Sequence, residues 1–281
     1  MKGRLFVALA VALTVAAFTA APTLARAESP QAIARQILGH APQGLAKKIV
    51  ERGSILVAND ANYPPQSFYD PHTRKLRGFD VDVAKRVGRI LGLRVVFRNP
   101  AWEYVPKGLR RGLYDVSIGS MEITPERQAI LGFTAPYYYS AAQVIVKKGG
   151  PRIRGVGSLF GKRVGVGRDT TYQAFLEQYP QIRLRTFVTD ADAFPALAAG
   201  KLKFVLTSWA VGRQAIKYGQ PFEFSGKPLF HDRLAFALRQ GQPDLQALLN
   251  YTIWRMHRSG ALRKMSLKWY RYNWSTWHWR R

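Results

Sequence analysis

Two segments of the chain carry residues suited to holding a negatively charged group. Arg127 lies near the start of a predicted helix, and its guanidinium can hold a carboxylate through two parallel hydrogen bonds, which Lys cannot do. Thr170 and Thr171 lie between a predicted strand and the next helix, where backbone N–H groups bind anions readily. The spacing alone is equally consistent with Arg127 capping a neighbouring element or pairing with Glu126, and with the two Thr residues as ordinary helix caps.

The composition gives no indication of metal or thiol chemistry. The 281 residues include no Cys, which excludes thiolate metal sites, Cys nucleophiles, disulfides and a lipid-modified N-terminal Cys. The five His residues show no metal-ligand spacing, and no Ser-His-Asp arrangement is evident. We therefore predict neither a cofactor nor a metal, and a binding protein rather than an enzyme.

The elements that must position these residues follow two α/β cycles. Strands are predicted at 54–58, 94–97, 116–118 and 143–146, and again at 163–166, 184–188, 204–207 and 234–238. Helices are predicted at 81–91, from 125, at 171–178, from about 190, and at 211–218, 243–258 and 261–270. Repeated β-α-β units predict parallel sheets covered by helices, arranged as two lobes.

Ligands bind open α/β sheets at the carboxyl ends of the strands. The residues that follow the predicted strands are therefore the first candidates for a site: Asn59-Asp60, Gly119-Ser120, Gly167-Arg168 and Ser208-Trp209.

The N-terminus has the layout of a secretory signal peptide. A basic start at Lys2 and Arg4 precedes an apolar run, and Ala25-Arg26-Ala27 is a small-x-small cleavage site. An uncleaved anchor is the alternative, but the run is short for a membrane helix. We predict cleavage after Ala27 and a periplasmic protein without a lipid anchor.

The net charge of +26 does not indicate nucleic-acid binding. The Lys and Arg residues are spread along the chain, and no nucleic-acid motif accompanies them. Cleavage after Ala27 leaves a charge of +23, which suits an acidic habitat or an anionic membrane surface equally well.

Several motifs in order give the chain a family resemblance. They are Asp60-Ala-Asn-Tyr-Pro-Pro65, Gly78-Phe-Asp-Val-Asp82, Gly112-Leu-Tyr-Asp-Val116, Gly119-Ser-Met-Glu-Ile-Thr-Pro-Glu-Arg127 and Phe133-Thr-Ala-Pro-Tyr-Tyr138. From about residue 55 to 269 the chain resembles the bacterial extracellular solute-binding proteins of family 3, the polar amino-acid receptors of ABC importers. The resemblance implies a two-lobe, Venus-flytrap α/β fold with a hinge of two crossing segments. Lobe 1 would comprise 54–142 and 234–281, lobe 2 would comprise 143–233, and 28–53 would be an N-terminal extension.

The resemblance also implies roles for individual residues. Arg127 matches the family Arg that grips the ligand's α-carboxylate, with a further contact from Ser120 in the same loop and support from Thr171 and Thr170 across the cleft. Tyr63 matches the ring that stacks on the ligand, Trp102 a wall position, and Asp60 an Asp near the ligand side chain. Packing explains the two rings equally simply, and a turn cap explains Asp60. The family usually has Gly at the position of Asp169.

One family feature is missing and another is gained. The family commonly places an Asp, which takes the ligand's α-ammonium, where this chain has Ser208. Glu122 stands where the family usually has Ser or Thr, so we hypothesise that Glu122 provides the missing carboxylate. Alternatively, Glu122 points outward and stabilises the helix that begins at Pro125, or the ligand is not an α-amino acid. If Glu122 takes the ammonium, Asp60 and Asp169 favour a basic or amide side chain.

The resulting interpretation is a monomeric periplasmic protein that delivers an amino acid to the membrane permease of an ABC importer. A periplasmic dehydratase of the prephenate or arogenate type, with Glu122 in the cleft, is the enzymatic alternative, and a receptor not coupled to transport is another. The C-terminus exceeds the family pattern with Trp274, Trp277 and Trp279. We expect these rings to pack on lobe 1, although Trp beside Arg also suits a membrane interface or a partner groove.

Overall fold

The computed structural model describes residues 28–276. The predicted signal peptide, Trp277 and Trp279 lie outside the described residues. The strands are β1 Ser54–Ala58, β2 Asn62–Tyr63, β3 Ser67–Tyr69, β4 Leu76–Arg77, β5 Arg94–Arg98, β6 Val116–Glu122, β7 Gly132–Lys147, β8 Arg163–Gly167, β9 Arg183–Phe187, β10 Phe204–Ser208 and β11 Phe222–Leu238. The helices are α1 Pro30–Leu38, α2 Gly44–Arg52, α3 Phe79–Leu91, α4 Val105–Arg111, α5 Pro125–Gln128, α6 Thr171–Glu177, α7 Phe194–Ala198, α8 Trp209–Lys217, α9 Pro243–Arg258 and α10 Ala261–Tyr270.

Eight strands form one continuous sheet in the order β5-β1-β6-β11-β7-β10-β8-β9, and β2, β3 and β4 form a small second sheet. We call the part built on β1, β5 and β6 lobe 1, and the part built on β8, β9 and β10 lobe 2. Strands within each lobe pair in parallel, as predicted. The two long strands differ from this pattern, because β7 and β11 pair antiparallel with each other and with β10 and β6.

The two long strands connect the lobes. β11 pairs with β6 through 234–238 at one end, and its 222–225 segment pairs with the part of β7 that lies beside β10. Their register is irregular between Ser225 and Phe230, where β7 also pairs with β10, and again between Leu234 and Ala237. The chain therefore crosses between lobes twice, along neighbouring strands. The expected lobe boundaries at 142/143 and 233/234 lie inside these strands and stay predictions.

Each lobe has its own apolar cores. In lobe 1, one buried cluster contains Phe79 together with Val83 and Val87 of α3 and Leu249, Ile253 and Met256 of α9. In lobe 2, one cluster packs under α6 and another under α7 and α8. Such burial, at roughly 25 cal/mol per Å² of apolar surface, makes each lobe a stable support for the loops between them.

Residues 28–53, to which the sequence pattern assigned no element, form α1 and α2. Ser29 caps α1 by accepting a hydrogen bond from the N–H of Ala32, and Pro30 begins the helix. Ala34, Ala46, Ile49 and Val50 are buried in the lobe 1 core, where both helices contact α9. The extension is therefore an integral part of lobe 1.

Candidate functional site

A cavity of about 490 Å³, part of it open to solvent, lies between the two lobes. Loops at the carboxyl ends of strands form most of its wall, as expected for an open α/β sheet. The residues that line it are Asp60, Tyr63, Ser67, Trp102, Gly119, Ser120, Glu122, Arg168, Thr170, Tyr172, Val188, Thr189 and Asp190.

Ser120 has a left-handed backbone conformation, with φ of 57°, and both its hydroxyl and its N–H form hydrogen bonds with buried side chains. Its hydroxyl donates to Asp80 Oδ2 at 2.7 Å and accepts from Tyr138 at 2.7 Å, while its N–H donates to the Tyr137 hydroxyl at 3.0 Å. Tyr137 in turn donates to Asp80 Oδ1 at 2.5 Å. The part of β6 that carries Gly119 and Ser120 is thus fixed by a buried network, in which the hydroxyl and the N–H of Ser120 are both bonded within the protein.

The Asp80 carboxyl, which is fully buried, anchors this network. Its burial raises the pKa of Asp80 to about 7, although the hydrogen bonds from Tyr137 and Ser120 oppose the shift. Asp80 is the third residue of the Gly78-Phe-Asp motif and the second residue of α3, so the motif places an acid in contact with the cavity-lining residue Ser120.

Arg127 is paired inside the protein. Its Nη1 donates to Glu122 Oε2 at 2.5 Å and to the Glu122 carbonyl at 3.2 Å, so the partner is Glu122 and not Glu126. Its Nη2 donates to the Asp169 carbonyl of lobe 2 at 3.1 Å, and its Cζ lies 5.3 Å from the centre of the Trp102 ring. Glu122 and Trp102 line the cavity, whereas Arg127 lies behind them.

Asp60 and Tyr63 line the cavity from lobe 1. Asp60 Oδ1 accepts from the N–H of Asn62 at 2.9 Å, which is the turn cap anticipated from the sequence, and its burial raises the pKa of the carboxyl. The Tyr63 hydroxyl donates across the cleft to Ser208 at 3.4 Å. Ser208 caps α8 by accepting from the N–H of Val211 and does not line the cavity itself.

On lobe 2, Thr170 caps α6. Its hydroxyl accepts from the N–H of Gln173 at 3.1 Å and donates to the Gly167 carbonyl at 2.8 Å. Asp169 has a φ of 56°, a conformation that Asp adopts more readily than most residues and that explains why Gly suits this position. Thr171 faces an adjoining groove that also contains Glu122 and Asp232, so it lies beside the main cavity.

Asp190 is the prominent site residue that the sequence analysis missed. It follows β9, is 1% exposed, and lines the cavity. Its Oδ1 accepts from the N–H of Gly167 at 2.7 Å, and its Oδ2 accepts from the Thr207 hydroxyl at 3.1 Å. Burial raises the pKa of Asp190 to about 7, and the nearby charge of Glu122 contributes to the rise.

A third buried carboxyl group, that of Asp232, lies in the groove beside the cavity. Asp232, which is 5% exposed, accepts from the Tyr172 hydroxyl at 3.3 Å. Burial and then the charge of Glu122 hold the pKa of Asp232 well above its usual value. The charge of Glu122 therefore opposes ionisation of both Asp190 and Asp232.

Comparison of the sequence with known protein families identifies the family to which the chain belongs. The model of the bacterial extracellular solute-binding proteins, family 3, matches residues 55–272. The chain belongs to this family. It is 32% identical over 233 residues to the L-cystine-binding protein TcyJ of Escherichia coli K12, covering 82% of this chain and 87% of that protein.

Solved structures agree with the family assignment. The ancestral amino acid-binding protein AncCDT-1, a precursor of cyclohexadienyl dehydratase, is 29% identical, with a TM-score of 0.76 over 81% of this chain and all of that one. An ancestral arginine-binding protein bound to arginine is also 29% identical, with a TM-score of 0.73 over 78% of this chain and 99% of that one. The predicted two-lobe α/β fold of periplasmic binding proteins, with its two-strand hinge, is confirmed.

The topological rule could have found Asp190, because residues 188–190 follow β9 as directly as Arg168 follows β8. The sequence analysis predicted a helix that starts at Asp190, and this prediction concealed the loop.

Trp209 follows β10 but lies outside the cavity lining, and its ring packs with Phe224, Tyr272 and Trp274. Trp274 also packs on the lobe 1 core, as expected for the C-terminal rings. Within 28–276, no helix is long and apolar enough to cross a membrane.

Proposed function

We propose that this family member captures a polar amino acid between its lobes and delivers it to an ABC importer. The observation that carries the proposal is the charge arrangement of the closed cleft. An Arg suited to a carboxylate, Arg127, lies on lobe 1 and pairs with the cavity residue Glu122, and a buried acid suited to an ammonium, Asp190, lines the cavity on lobe 2. The relatives support the same ligand class, because they are named for L-cystine and arginine.

Arg127 would bind the ligand's α-carboxylate by exchanging partners. Its three hydrogen bonds to Glu122 and Asp169 occupy three of the five guanidinium N–H donors. The Glu122 carboxylate occupies the place that an α-carboxylate would take on the same fork. A ligand carboxylate that replaces it gives Arg127 an equivalent partner and releases Glu122 toward the cavity.

The ligand's α-ammonium would then lie between Glu122 and Asp190. A buried ammonium without an anion is strongly disfavoured, and Ser208 supplies none. Asp190 is already held by Gly167 and Thr207 at the cavity wall. A cation between the two carboxylates relieves their repulsion, and Asp60 remains for a polar side chain, with a basic or amide group favoured.

Export and partners follow from the same proposal. The protein would reach the periplasm by signal-peptide cleavage after Ala27, without a lipid anchor, and act as a monomer that binds no nucleic acid. Lobe 1 would comprise 54–142 and 234–281, and lobe 2 would comprise 143–233. Its membrane partner would be the permease of an amino-acid ABC importer.

An enzymatic function is the second candidate, favoured by the likeness to a precursor of cyclohexadienyl dehydratase. Glu122 would be the acting carboxylate, but it is ion-paired with Arg127. We propose binding and not catalysis. Incubation with prephenate tests this directly, because formation of phenylpyruvate would identify a dehydratase.

The binding proposal is tested by a thermal-shift screen of the twenty amino acids, followed by calorimetry. A ligand at 100 times its Kd stabilises a protein by about 2.7 kcal/mol. Arg127→Ala should weaken binding of the best ligand by more than about thirtyfold, since loss of one partner of a buried charge pair costs about 2–5 kcal/mol. Arg110→Ala, an exposed Arg on α4, is the matched control. Unchanged affinity in folded Arg127→Ala would show that the assigned pocket is wrong.

A further inference from the structure

The outer face of α9 carries a stripe of aromatic and basic side chains. Tyr251, Trp254, Arg255 and Arg258 are spaced three and four residues apart, which places them on one side of the helix. Trp254 is 52% exposed, although its type is usually largely buried. The opposite side of α9, including Ile253 and Met256, packs in the lobe 1 core.

The stripe is organised by ring and cation contacts. The Tyr251 and Trp254 ring centres lie 5.6 Å apart. The Arg255 guanidinium carbon lies 5.9 Å from the Tyr251 ring centre, and that of Arg258 lies 5.8 Å from the Trp254 ring centre. Arg residues in the last turn also favour the helix dipole, but that effect requires no exposed Trp beside them.

The sequence that follows Asp244 of α9 is free of acids. From Leu245 to the end of the chain there is no Asp or Glu, and there are eight Lys or Arg residues. The next helix, α10, presents exposed cations at Arg263, Lys264 and Lys268, of which Lys268 pairs with Asp82 of α3. Five of the seven Trp residues of the chain also lie in this segment. The C-terminal segment therefore combines positive charge with indole rings.

We propose that the α9 stripe, together with the α10 cations, docks the protein on an anionic lipid bilayer. Trp and Tyr are enriched at the membrane–water interface, where an apolar ring meets polar headgroups. Lys and Arg near an anionic membrane are attracted to its surface, and their long stems let the charge stay among the headgroups while the rings enter. The positive charge of the α9 and α10 side chains is thus complementary to the negative charge of such a bilayer.

Docking through α9 leaves the ligand cleft free. No residue of α9 or α10 lines the cavity between the lobes, and α9 contacts α1, α2, α3, α10 and β7. An exported protein without a lipid anchor would thereby remain close to a membrane while it binds and releases its ligand. The inference is independent of the ligand's identity.

The test is co-sedimentation of the mature chain, 28–281, with phosphatidylglycerol-containing vesicles and with phosphatidylcholine vesicles. Wild type should bind the anionic vesicles and not the neutral ones, with binding that weakens as salt rises. The double variant Arg255→Glu with Arg258→Glu should lose at least about tenfold in binding. Trp254→Ala should lose severalfold at constant charge, because the apolar contribution is removed.

The matched control is Arg183→Glu with Arg185→Glu on β9 of lobe 2. Both residues are exposed, Arg185 also lies over an aromatic ring, and the charge change is identical. This control should stay within about twofold of wild type if α9 is the docking face. If both double variants lose the same amount of vesicle binding, the binding depends on net charge and not on the α9 face, which would overturn the proposal. Absence of wild-type binding to anionic vesicles at low salt would also overturn it, and a partner protein would then be sought for the stripe.

Discussion

The cleft concentrates carboxyl groups that a ligand must neutralise. Glu122 lies on lobe 1 and Asp190 on lobe 2, the charge of Glu122 opposes ionisation of Asp190, and Arg127 forms an ion pair with Glu122 in the closed structure. The exchange model requires both acids for the ammonium. It also makes Glu122 a competitor for Arg127, so its removal has opposite effects on the two ends of the ligand.

The ammonium role is tested at these two carboxyls. Glu122→Gln and Asp190→Asn should each weaken amino-acid binding by at least about tenfold, equivalent to about 1.4 kcal/mol. Glu223→Gln, at a lobe 2 carboxylate that accepts from the N–H of Gly149 and does not line the cavity, is the control. Calorimetry near neutral pH measures the effect. If Glu122→Gln binds the ligand as tightly as wild type or more tightly, Glu122 pairs with Arg127 but does not bind the ligand's ammonium.

A rescue variant separates a lost charge from a damaged fold. Adding Ser208→Asp to Asp190→Asn places a carboxylate at the helix cap where the family commonly has one. This combination should recover much of the lost affinity. Recovery of stability without recovery of affinity would contradict the proposed ammonium position.

Asp80 makes stability depend on pH. Its pKa in the folded protein, about 7, exceeds the ordinary 3.8, so the folded state binds the proton more tightly than the unfolded state. The free energy of unfolding should therefore decrease as pH rises from about 4 to about 7 and then level off. Asp190 acts in the same direction. Over this pH range, each of the two carboxyl groups changes the free energy of unfolding by an amount on the order of a few kcal/mol.

Denaturant unfolding at about pH 5 and about pH 8 measures this dependence. Asp80→Asn should lose less stability than wild type between the two values, because the amide does not titrate. Glu177→Gln, at an exposed carboxylate on α6, should keep the wild-type dependence. Parallel pH profiles for wild type and Asp80→Asn would contradict the assignment.

At the scale of elements, apolar periodicity predicted most short strands and the long helices. β1 and α9 have the predicted bounds because each has a simple burial pattern between clear boundary signals. β7 and β11 were predicted only in part, at 143–146 and 234–238. Their other halves contain Pro136, Gly226 and Pro228, residue types that ordinarily end strands, and pairing between two distant segments overrides that local signal.

The site shows the same division. Residues that follow predicted strands, such as Asp60 and Ser120, lie at the cavity as the topological rule requires. The roles of Arg127 and Glu122 could not be separated from sequence, because only the fold shows that they pair with each other. The contribution of residues 28–53 to the lobe 1 core could not be predicted either, because it depends on contacts with α9, which is distant in the sequence.

The N-terminal helices should stabilise lobe 1 without acting on the ligand. Ile49 is 1% exposed in the core, and its replacement by Ala should lower the free energy of unfolding by about 2–5 kcal/mol. Ile130→Ala, at a residue that is 39% exposed, should cost much less. Denaturant unfolding measures both variants, and calorimetry should find the same ligand affinity. A small effect at Ile49 would mean that α2 is dispensable to the core.

At the scale of the molecule, three hydrogen bonds among the described residues link the lobes across the cleft. Trp102 Nε1 donates to the Asp169 carbonyl at 3.0 Å, Arg127 Nη2 donates to the same carbonyl at 3.1 Å, and Tyr63 donates to Ser208 at 3.4 Å. Each contributes about 0.5–1.5 kcal/mol. Closure without a ligand is therefore held weakly, because it also brings the carboxyls of the two lobes together.

A ligand should shift the lobes toward the closed state. In the proposed site, lobe 1 provides Arg127 and Glu122 and lobe 2 provides Asp190, so the ligand's ammonium gains its second carboxylate only when the lobes meet. This difference in affinity drives closure. The radius of gyration measured by solution scattering should decrease when saturating ligand is added. Trp102→Phe keeps an aromatic ring but removes the N–H donor, so it should weaken binding by about twofold to tenfold. Identical scattering curves with and without the ligand would show that binding does not use the two-strand hinge.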